Sequence, residues 1–375
     1  MGFDQFHGNR EVVDRLREML ARDRFPHAVI LAGPHGSGKY TLAQMLAKAM
    51  NCLAPQHAKV GRTDPAQPRG EAPDFCGKCT NCVRIAEADD LDARCAAAVE
   101  AREGLKETDK KDTRIFVQTH PDVLIIPPDP PQMMIKVDQV RHVIQSIYYR
   151  PSEGGRRVYI FTDAAFMKEA ANSLLKVLEE PPEFATLFLL AENPGQLLPT
   201  IRSRCATFQL CPLETEEIER DLARLHPEWK PVQRALVAKL AEGAVGRARS
   251  FDLAAYTAAR QDALVLLHTA VNGEDHSALF RATETYRAGA EGRDKTGQLL
   301  RTLYSLLEDL MFLKSGTAEL VRNSDVAGEL KRLAGAVDFA WIAAAAQRVG
   351  EVESGMRRNL LRSLSLDAMV AGLEK

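Results

Sequence analysis

The sequence predicts an α/β protein, with a parallel sheet covered by helices in its N-terminal part and helices alone in its C-terminal part. Short apolar runs alternate with amphipathic helical patterns up to about residue 211, which is typical of parallel strands joined by crossover helices. A glycine-rich loop joins the first of these runs directly to a helical pattern. Beyond Pro212 the strand signals end and helical patterns continue.

The first predicted elements surround the glycine-rich loop. Apolar residues at helical spacing between Val12 and Arg22 predict a helix, and "HAVILAG" at 27–33 predicts a buried strand that ends in glycine. The segment "TLAQMLAKAMN" at 41–51 has its apolar residues on one helical face. Strand, glycine-rich loop and helix in this order are the context that a phosphate-binding loop requires.

The loop itself, "GPHGSGKYT" at 33–41, departs from the phosphate-loop pattern at one position. Gly33, Gly38 and Lys39 fit G-x-x-x-x-G-K, but Tyr40 stands where a Ser or Thr hydroxyl would hold magnesium. Thr41 lies one residue further, about 100° around the helix, and points elsewhere. The candidate nucleotide-binding residues of the loop are Gly33, Gly36, Ser37, Gly38, Lys39, Tyr40 and Thr41.

Four cysteines predict a metal site. Cys76, Cys79 and Cys82 stand in "CGKCTNC", and Cys52 ends the helix that follows the loop. Thiolates at this spacing face inward around a tight turn, and a fourth thiolate completes a closed tetrahedral set with no position for water. The alternative is a group of free thiols in an exposed loop. We expect a structural Zn²⁺ ion in a module at about 52–82.

The segments around these cysteines carry weaker signals. Residues 53–75 contain four prolines and few apolar residues, which predicts a flexible insertion. Residues 86–113 are rich in Ala and in charge, which predicts an exposed helix. The charged run "ETDKKD" at 107–112 is interpreted as a solvated face, with a contact to DNA as the alternative.

The remaining strand and helix patterns set the domain boundaries. The length of 375 residues suits two or three domains. Strand signals at 123–128, 157–163 and 186–192 belong to a core at 1–211, because helical patterns separate them. We expect a small helical domain at 212–255 and a second helical domain at 256–375.

Composition excludes several classes of protein. The formal net charge of -2 argues against a polycationic DNA binder, so any contact with nucleic acid must be local or shared with partners. An apolar run of about 18 residues and a secretory leader are both missing from the pattern. Seven cysteines are an odd number, which is poor support for a disulfide framework. We expect a cytoplasmic protein with no membrane contact.

Taken together, the motifs resemble those of the clamp-loader AAA+ ATPases of bacterial DNA replication. The resemblance implies an AAA+ P-loop core with a zinc-knuckle insertion, then a helical lid at 212–255 and an all-α collar for oligomerisation at 256–375. It covers the N-terminal half and part of the lid, and the C-terminal helices match in character only. Besides the four cysteines, the motifs that carry it are "RFPHAVILAGPHGSGK" at 24–39, "IKVDQVRHVI" at 135–144, "TDAAFMKEAANSLLKVLEEPP" at 162–182, "NPGQLLPTIRSRC" at 193–205 and "AEGAVGRA" at 241–248.

Within this family the sequence is similar to a non-hydrolysing type of subunit. The gamma/tau motor type has G-K-T in the loop and an Asp-Glu pair after a later strand, where this chain has Tyr40 and Thr162-Asp163. Two supports for magnesium are therefore altered, and we expect hydrolysis to be lost. Weak binding of ATP or ADP stays open, because backbone N–H groups and Lys39 still suit an anion. The alternative is an active motor subunit of the gamma/tau type.

The resemblance also implies partners and two functional arginines. Arg204, in Ser-Arg-Cys, matches the arginine finger that reaches the nucleotide site of an adjacent subunit; the alternative is an arginine packed against carboxylates of its own chain. Arg247 matches the lid arginine that senses nucleotide, or is a structural remnant. The implied partners are gamma/tau and delta subunits in a hetero-pentameric ring, the sliding clamp, and primer-template DNA through the assembled complex. A recombination-type AAA+ helicase would not account for the cysteine knuckle.

Overall fold

The computed structural model describes residues 2–59, 71–153, 155–273, 276–287, 289–356 and 361–374. Contacts divide the chain into two compact units, each described by itself below. The first unit is Met1–Glu214 with Gly243–Arg247, and the second is Thr215–Glu242 with Ala248–Lys375. In the part of the chain that the structure describes, no helix is long and apolar enough to cross a membrane.

The first unit is built on a six-stranded sheet with the strand order β4-β5-β6-β7-β1-β8. Its strands run parallel except β4, which is antiparallel to β5 at one edge. A separate antiparallel pair is formed by β2 and β3. In chain order the strands are β1 Ala28–Ala32, β2 Gln56–Lys59, β3 Glu71–Asp74, β4 Val117–His120, β5 Val123–Ile126, β6 Arg157–Phe161, β7 Ala185–Ala191 and β8 Ala206–Gln209.

Helices cover both faces of the sheet, because alternate residues of its buried strands point to opposite sides. Val29 and Leu31 of β1 belong to one core, whereas Ile30 belongs to the other. The first core includes residues of α1, α2 and α3, and the second includes residues of α6 and α7. The helices of this unit are α1 Arg10–Ala21, α2 Lys39–Asn51, α3 Thr80–Ala86, α4 Leu91–Glu103, α5 Glu107–Asp112, α6 Val137–Ser146, α7 Lys168–Glu179 and α8 Pro199–Arg202.

The second unit is helical and is held together by a leucine-rich core along α12, α14 and α16. A smaller cluster of Leu236, Leu240 and Tyr256 packs separately from that core. The remaining helices are α9 Thr215–Leu225, α10 Pro231–Leu240, α11 Val245–Arg249, α12 Leu253–Asn272, α13 His276–Glu284, α14 Gly289–Ser315, α15 Ala327–Ala336, α16 Phe339–Met356 and α17 Arg362–Ala371. A division of this unit into lid and collar near residue 255 stays a prediction.

The α/β core with a parallel sheet is confirmed, and the departures from the sequence analysis are local. Strands β4 and β8 were not expected, and both are only four residues long. The ends of the expected flexible insertion at 53–75 pair as β2 and β3, and residues 60–70 lie outside the described residues. The exposed helix expected at 86–113 corresponds to α4, which has no buried residue, followed by α5.

A buried carboxylate organises the second unit. Asp309 of α14 is fully buried and accepts hydrogen bonds from the backbone N–H groups of Arg322 (2.8 Å) and Asn323 (2.9 Å). It also accepts from Asn323 Nδ2 at 2.8 Å. The Asn323 side-chain oxygen in turn accepts from the Tyr256 hydroxyl at 2.7 Å. This network joins α12, α14 and the turn before α15 through groups that have no access to water.

We expect Asp309→Ala to lower the free energy of unfolding by about 3 kcal/mol, because it leaves buried donors without an acceptor. Asp294→Ala, at an exposed position of the same helix, is the control and should change the free energy little. Both tryptophans, Trp229 and Trp341, lie in the second unit, so urea unfolding followed by tryptophan fluorescence reports on this unit. Equal unfolding midpoints for the two variants would contradict the assignment.

Candidate functional site

The phosphate loop leaves the end of β1, which lies between β7 and β8, and enters α2. Gly38 is the N-cap of α2 with φ 88°, a left-handed conformation that favours glycine. A Cβ at Gly38 would lie 2.9 Å from the Phe6 ring, so an N-terminal aromatic side chain packs directly against the loop. The loop thus joins a buried strand to a helix N-terminus, the place at which backbone N–H groups favour an anion.

Lys39 turns back onto its own loop. Its Nζ donates to the carbonyl oxygens of Gly33 at 2.6 Å and Pro34 at 2.8 Å. Burial lowers the pKa of Lys39, and the negative charges of Glu192 and Asp163 oppose this. Glu192 follows β7 and Asp163 follows β6, so the ends of two neighbouring strands bring carboxylates toward the lysine. The ammonium group is thus held by the protein's own oxygens.

Tyr40 points its hydroxyl away from the loop. The hydroxyl donates to the carbonyl oxygen of Ala88 at 2.5 Å and accepts from Gln44 Nε2 at 2.6 Å. Burial raises the pKa of Tyr40, which keeps the hydroxyl protonated. Thr41 is exposed on the next position of the helix, and Ser37 is buried. A magnesium site needs a hydroxyl ligand at position 40, whereas the Tyr40 hydroxyl is hydrogen-bonded to Ala88 and Gln44.

The second position at which a magnesium-anchoring residue is replaced lies at the end of β6. Thr162 follows this strand and is half-buried, whereas Asp163 is exposed. Asp163 Oδ1 accepts from the backbone N–H of Ala165 at 2.7 Å, which closes a local turn. A threonine hydroxyl is neutral and cannot supply the negative charge with which a carboxylate anchors magnesium. Thr162 directly follows β6, and Tyr40 lies in the first turn of α2, which the loop joins to β1 of the same sheet.

The backbone at Arg247 lies against the phosphate loop. The backbone N–H of Gly246 donates to the Gly36 carbonyl at 2.9 Å. A Cβ at Gly36 would lie 2.8 Å from the backbone nitrogen of Arg247, so the two backbones touch. The Arg247 side chain is exposed. Whether it senses nucleotide is not decided by this contact, and that role stays a prediction.

The four cysteines converge as predicted. The Sγ atoms of Cys52, Cys76, Cys79 and Cys82 all lie within 4.8 Å of one another, and the Cys52 and Cys79 sulfurs are 4.0 Å apart. Zinc–sulfur bonds of about 2.3 Å in a tetrahedron place sulfurs about 3.8 Å apart. All four cysteines are free of disulfides. The cluster therefore has the donor set and spacing of a closed zinc site.

Backbone N–H groups prepare these sulfurs for metal. Cys76 Sγ accepts from the N–H groups of Lys78 and Cys79 at 3.4 and 3.3 Å, and these bonds lower its pKa. Burial raises the pKa of Cys79, but hydrogen bonds from the backbone of Cys82 and Leu53, together with those of the Cys82 and Cys76 side chains, lower it to about 6. Burial raises the pKa of Cys82. Thiolate is the form that binds zinc. The hydrogen bonds that lower the pKa of Cys76 and Cys79 therefore favour these two sulfurs as zinc ligands.

Arg204 follows α8, at the rim of the sheet. Its guanidinium donates to the Thr200 carbonyl at 2.9 Å and forms an ion pair with Glu179 at 2.7 Å. The arrangement corresponds to the alternative in which the arginine packs on a carboxylate of its own chain. Both side chains are partly exposed, 35% for Arg204 and 53% for Glu179, and exposed pairs of this kind contribute little to stability. The pair therefore does not prevent a second role for the arginine.

The comparison with protein families decides the affiliation. The family model "DNA polymerase III, delta subunit" matches residues 8–214, more than half of the chain. The chain belongs to the DNA polymerase III delta' subunit family. The matched residues include the phosphate loop, the four cysteines and Arg204. The parallel sheet and the cysteine cluster confirm the predicted α/β core with a cysteine knuckle.

Individual relatives carry both delta' and tau/gamma names. The delta' subunit of Escherichia coli K12 is 34% identical over 58% of this chain and 62% of its own length. The delta' subunit of Pseudomonas aeruginosa is 32% identical over 52% of this chain and 46% of its own length. The tau/gamma subunit of Haemophilus influenzae is 26% identical over 88% of this chain. This delta' family member spans only 38% of the length of that tau/gamma subunit.

Sequence analysis found most of the site but missed two contributors. Glu192 closes the apolar run "TLFLLAE", and a charged residue directly after a buried strand was the signal available for it. Phe6 carries no such signal, because its contact with Gly38 spans 32 positions of the chain. Phe6 packs against the loop at Gly38, and the charge of Glu192 acts on Lys39, which makes the position less favourable for an anion.

We expect one zinc ion per chain, bound by the four clustered cysteines, because the sulfurs already have the required spacing. Elemental analysis of the purified chain under reducing conditions measures the zinc content. Cys79→Ser should reduce it well below one ion per chain, whereas Cys211→Ser, at an exposed cysteine outside the cluster, should leave it unchanged. A zinc-free wild-type chain would rule out the site.

Proposed function

We propose that this chain is a delta'-type subunit of a DNA polymerase III clamp loader, which helps to place the sliding clamp on primed DNA and does not hydrolyse ATP itself. The observation that carries the proposal is that the Tyr40 hydroxyl is hydrogen-bonded outside the phosphate loop. A phosphate loop catalyses hydrolysis only with a metal, and the residue at the metal-binding position uses its hydroxyl to bond Ala88 instead.

The surroundings of Lys39 support the same conclusion. The ammonium group bonds to two carbonyl oxygens of the loop, and an incoming phosphate must displace them. Asp163 and Glu192 place negative charge near the same position, which disfavours a polyphosphate in the absence of magnesium. The loop N–H groups and the lysine nevertheless keep weak binding of ATP or ADP within the proposal. The zinc ion serves as a structural cofactor of the knuckle.

The second candidate is an ATP-hydrolysing motor subunit of the gamma/tau type. It is favoured by one observation, the relative named tau/gamma that aligns with 88% of this chain. Against it stand the family model, which is that of the delta' family, and the altered positions Tyr40 and Thr162. The two candidates differ in a measurable property, since only a motor turns over ATP on its own.

In the proposed assembly, the chemical contribution of this chain is made to a neighbour's site. Arg204 carries a permanent charge and a planar set of donors that suits phosphate oxygens. It lies on a short segment at the rim of the sheet, where an adjacent subunit can bring its nucleotide within reach. Exchange of the Glu179 carboxylate for a phosphate keeps the guanidinium bonded to an anion. Arg204 then acts as an arginine finger in trans.

The proposed partners follow from this role. They are gamma/tau and delta subunits in a hetero-pentameric ring, the sliding clamp, and primer-template DNA held by the assembled complex. The net charge of -2 suits a subunit that contacts DNA only together with its partners. The helical second unit supplies the surface for oligomerisation, and Arg247, at the phosphate loop, completes the lid of the pocket.

We expect the isolated chain to hydrolyse ATP at the background rate, and Tyr40→Thr alone not to restore turnover, because position 162 still lacks a carboxylate. Phosphate release measured beside nucleotide affinity separates binding from chemistry. Lys39→Ala is the matched control for a phosphate-loop reaction. Turnover by the wild-type chain that Lys39→Ala abolishes would establish the motor candidate instead.

We expect Arg204→Ala to lower DNA-stimulated ATP hydrolysis by the reconstituted complex, while zinc content and ring assembly are retained. At the one site that it completes, an arginine finger contributes a factor of about 10³ to 10⁵ in rate, and the other sites keep their own arginines, so the total loss is partial. Arg202→Ala, two residues away and exposed, is the control. Equal rates for both variants would mean that Arg204 is only structural.

A further inference from the structure

The phosphate-loop helix α2 is bonded to the knuckle segment, residues 76–89, at its start and in its middle. At the start, the Tyr40 hydroxyl donates to the carbonyl oxygen of Ala88 at 2.5 Å. Two turns later, Lys48 Nζ lies 2.7 Å from the Asp89 carboxylate. The Lys48 side chain is only 9% exposed and Ala88 is buried. Water therefore competes poorly for Ala88 and Lys48, whereas the Asp89 side chain is 49% exposed.

The end of α2 is bonded to the same segment. Asn81, between the ligands Cys79 and Cys82, is buried and donates from Nδ2 to the Asn51 carbonyl at 3.0 Å. Cys52, the fourth cysteine of the cluster, is the C-cap of the helix. The knuckle segment thus contacts the first, third and last turns of one helix, and the first of those turns belongs to the phosphate loop.

Tyr40 is suited to this contact by its length and by the direction of its proton. Gln44 donates to the phenol oxygen at 2.6 Å, so the single phenol proton is directed to the Ala88 carbonyl. A threonine at the same position has its hydroxyl on Cβ, several bonds closer to the backbone, and cannot span the distance. The residue that removes the magnesium ligand is therefore also the residue that makes this connection.

We propose that Tyr40 is a positioning residue of the zinc site: its hydroxyl fastens the end of the knuckle segment to the phosphate-loop helix, so that zinc occupancy and the order of the first turn of α2 depend on each other. A coupling free energy is reciprocal. If the Tyr40 bond stabilises the zinc-bound arrangement of the knuckle, then zinc stabilises the Tyr40 bond to the same degree. This coupling is independent of the proposed role in replication and holds for the isolated chain.

The first test measures zinc release. The purified zinc-loaded chain is mixed with an excess of a chromogenic chelator, and the rate of zinc transfer is recorded. Tyr40→Phe removes only the hydroxyl, and we expect release to become about two- to tenfold faster, the factor that one net hydrogen bond supplies. Tyr149→Phe, at a tyrosine that is 67% exposed, is the matched control. Release from Tyr40→Phe at the wild-type rate overturns the proposal.

The second test needs no substitution. The backbone N–H of Leu42 donates to the Gly38 carbonyl at 2.8 Å and reports on the first turn of α2. We expect hydrogen exchange at this amide to become several-fold faster when zinc is removed, and Tyr40→Phe to reduce that difference. Equal protection of the Leu42 amide with and without zinc overturns the proposal. Leu299, buried in the second unit, serves as the internal reference, because its protection should not respond to the metal.

Discussion

Burial of strand β1 on both faces and both edges is the constraint on which the functional part of the molecule depends. All five of its residues are buried, and it pairs with β7 on one side and β8 on the other. A strand held in this way has one position and one register, because a shift would exchange the side chains between the two cores. The loop that leaves it and the helix that follows inherit that fixed position.

Helix α2 connects the two sites of the first unit. Its N-terminus is the phosphate loop, its apolar face fills the core, and its C-cap Cys52 is part of the cysteine cluster. The phosphate loop and the cysteine cluster, which look unrelated in sequence, therefore lie at the two ends of one helix about 20 Å long, at 1.5 Å per residue. Any rearrangement at one end must be absorbed by a helix that is buried over most of its length.

The part of the fold that could be predicted is the part that neighbouring residues encode. The strand, loop and helix at 27–51 and the knuckle each have their signal within a few positions, and the structure has them where the sequence placed them. Strands β4 and β8 were missed because neither is a continuous buried run: β4 has buried residues only at its two ends, and β8 has one buried side chain, Phe208. Such strands are stabilised by their neighbours in the sheet rather than by their own pattern.

The site was predictable in its residue types but not in its contacts. The spacing of Cys76, Cys79 and Cys82 sufficed to find three of the clustered cysteines, and Cys52 was found from its place at the end of the predicted helix. The substitution at position 40 was visible in the sequence, whereas its partner is a backbone carbonyl 48 positions away. Every residue has a backbone carbonyl group, so no sequence pattern could have indicated which one bonds the Tyr40 hydroxyl.

The bond between Tyr40 and Ala88 also affects which substitutions this chain can tolerate. A return to a working phosphate loop needs a short hydroxyl at position 40 and a carboxylate at position 162, and neither change is useful without the other. The first change breaks the connection to the knuckle before any metal is gained. A change at position 40 alone loses the bond to Ala88, whereas a change at position 162 alone leaves that bond in place. The connection to the knuckle therefore makes tyrosine at position 40 costly to replace.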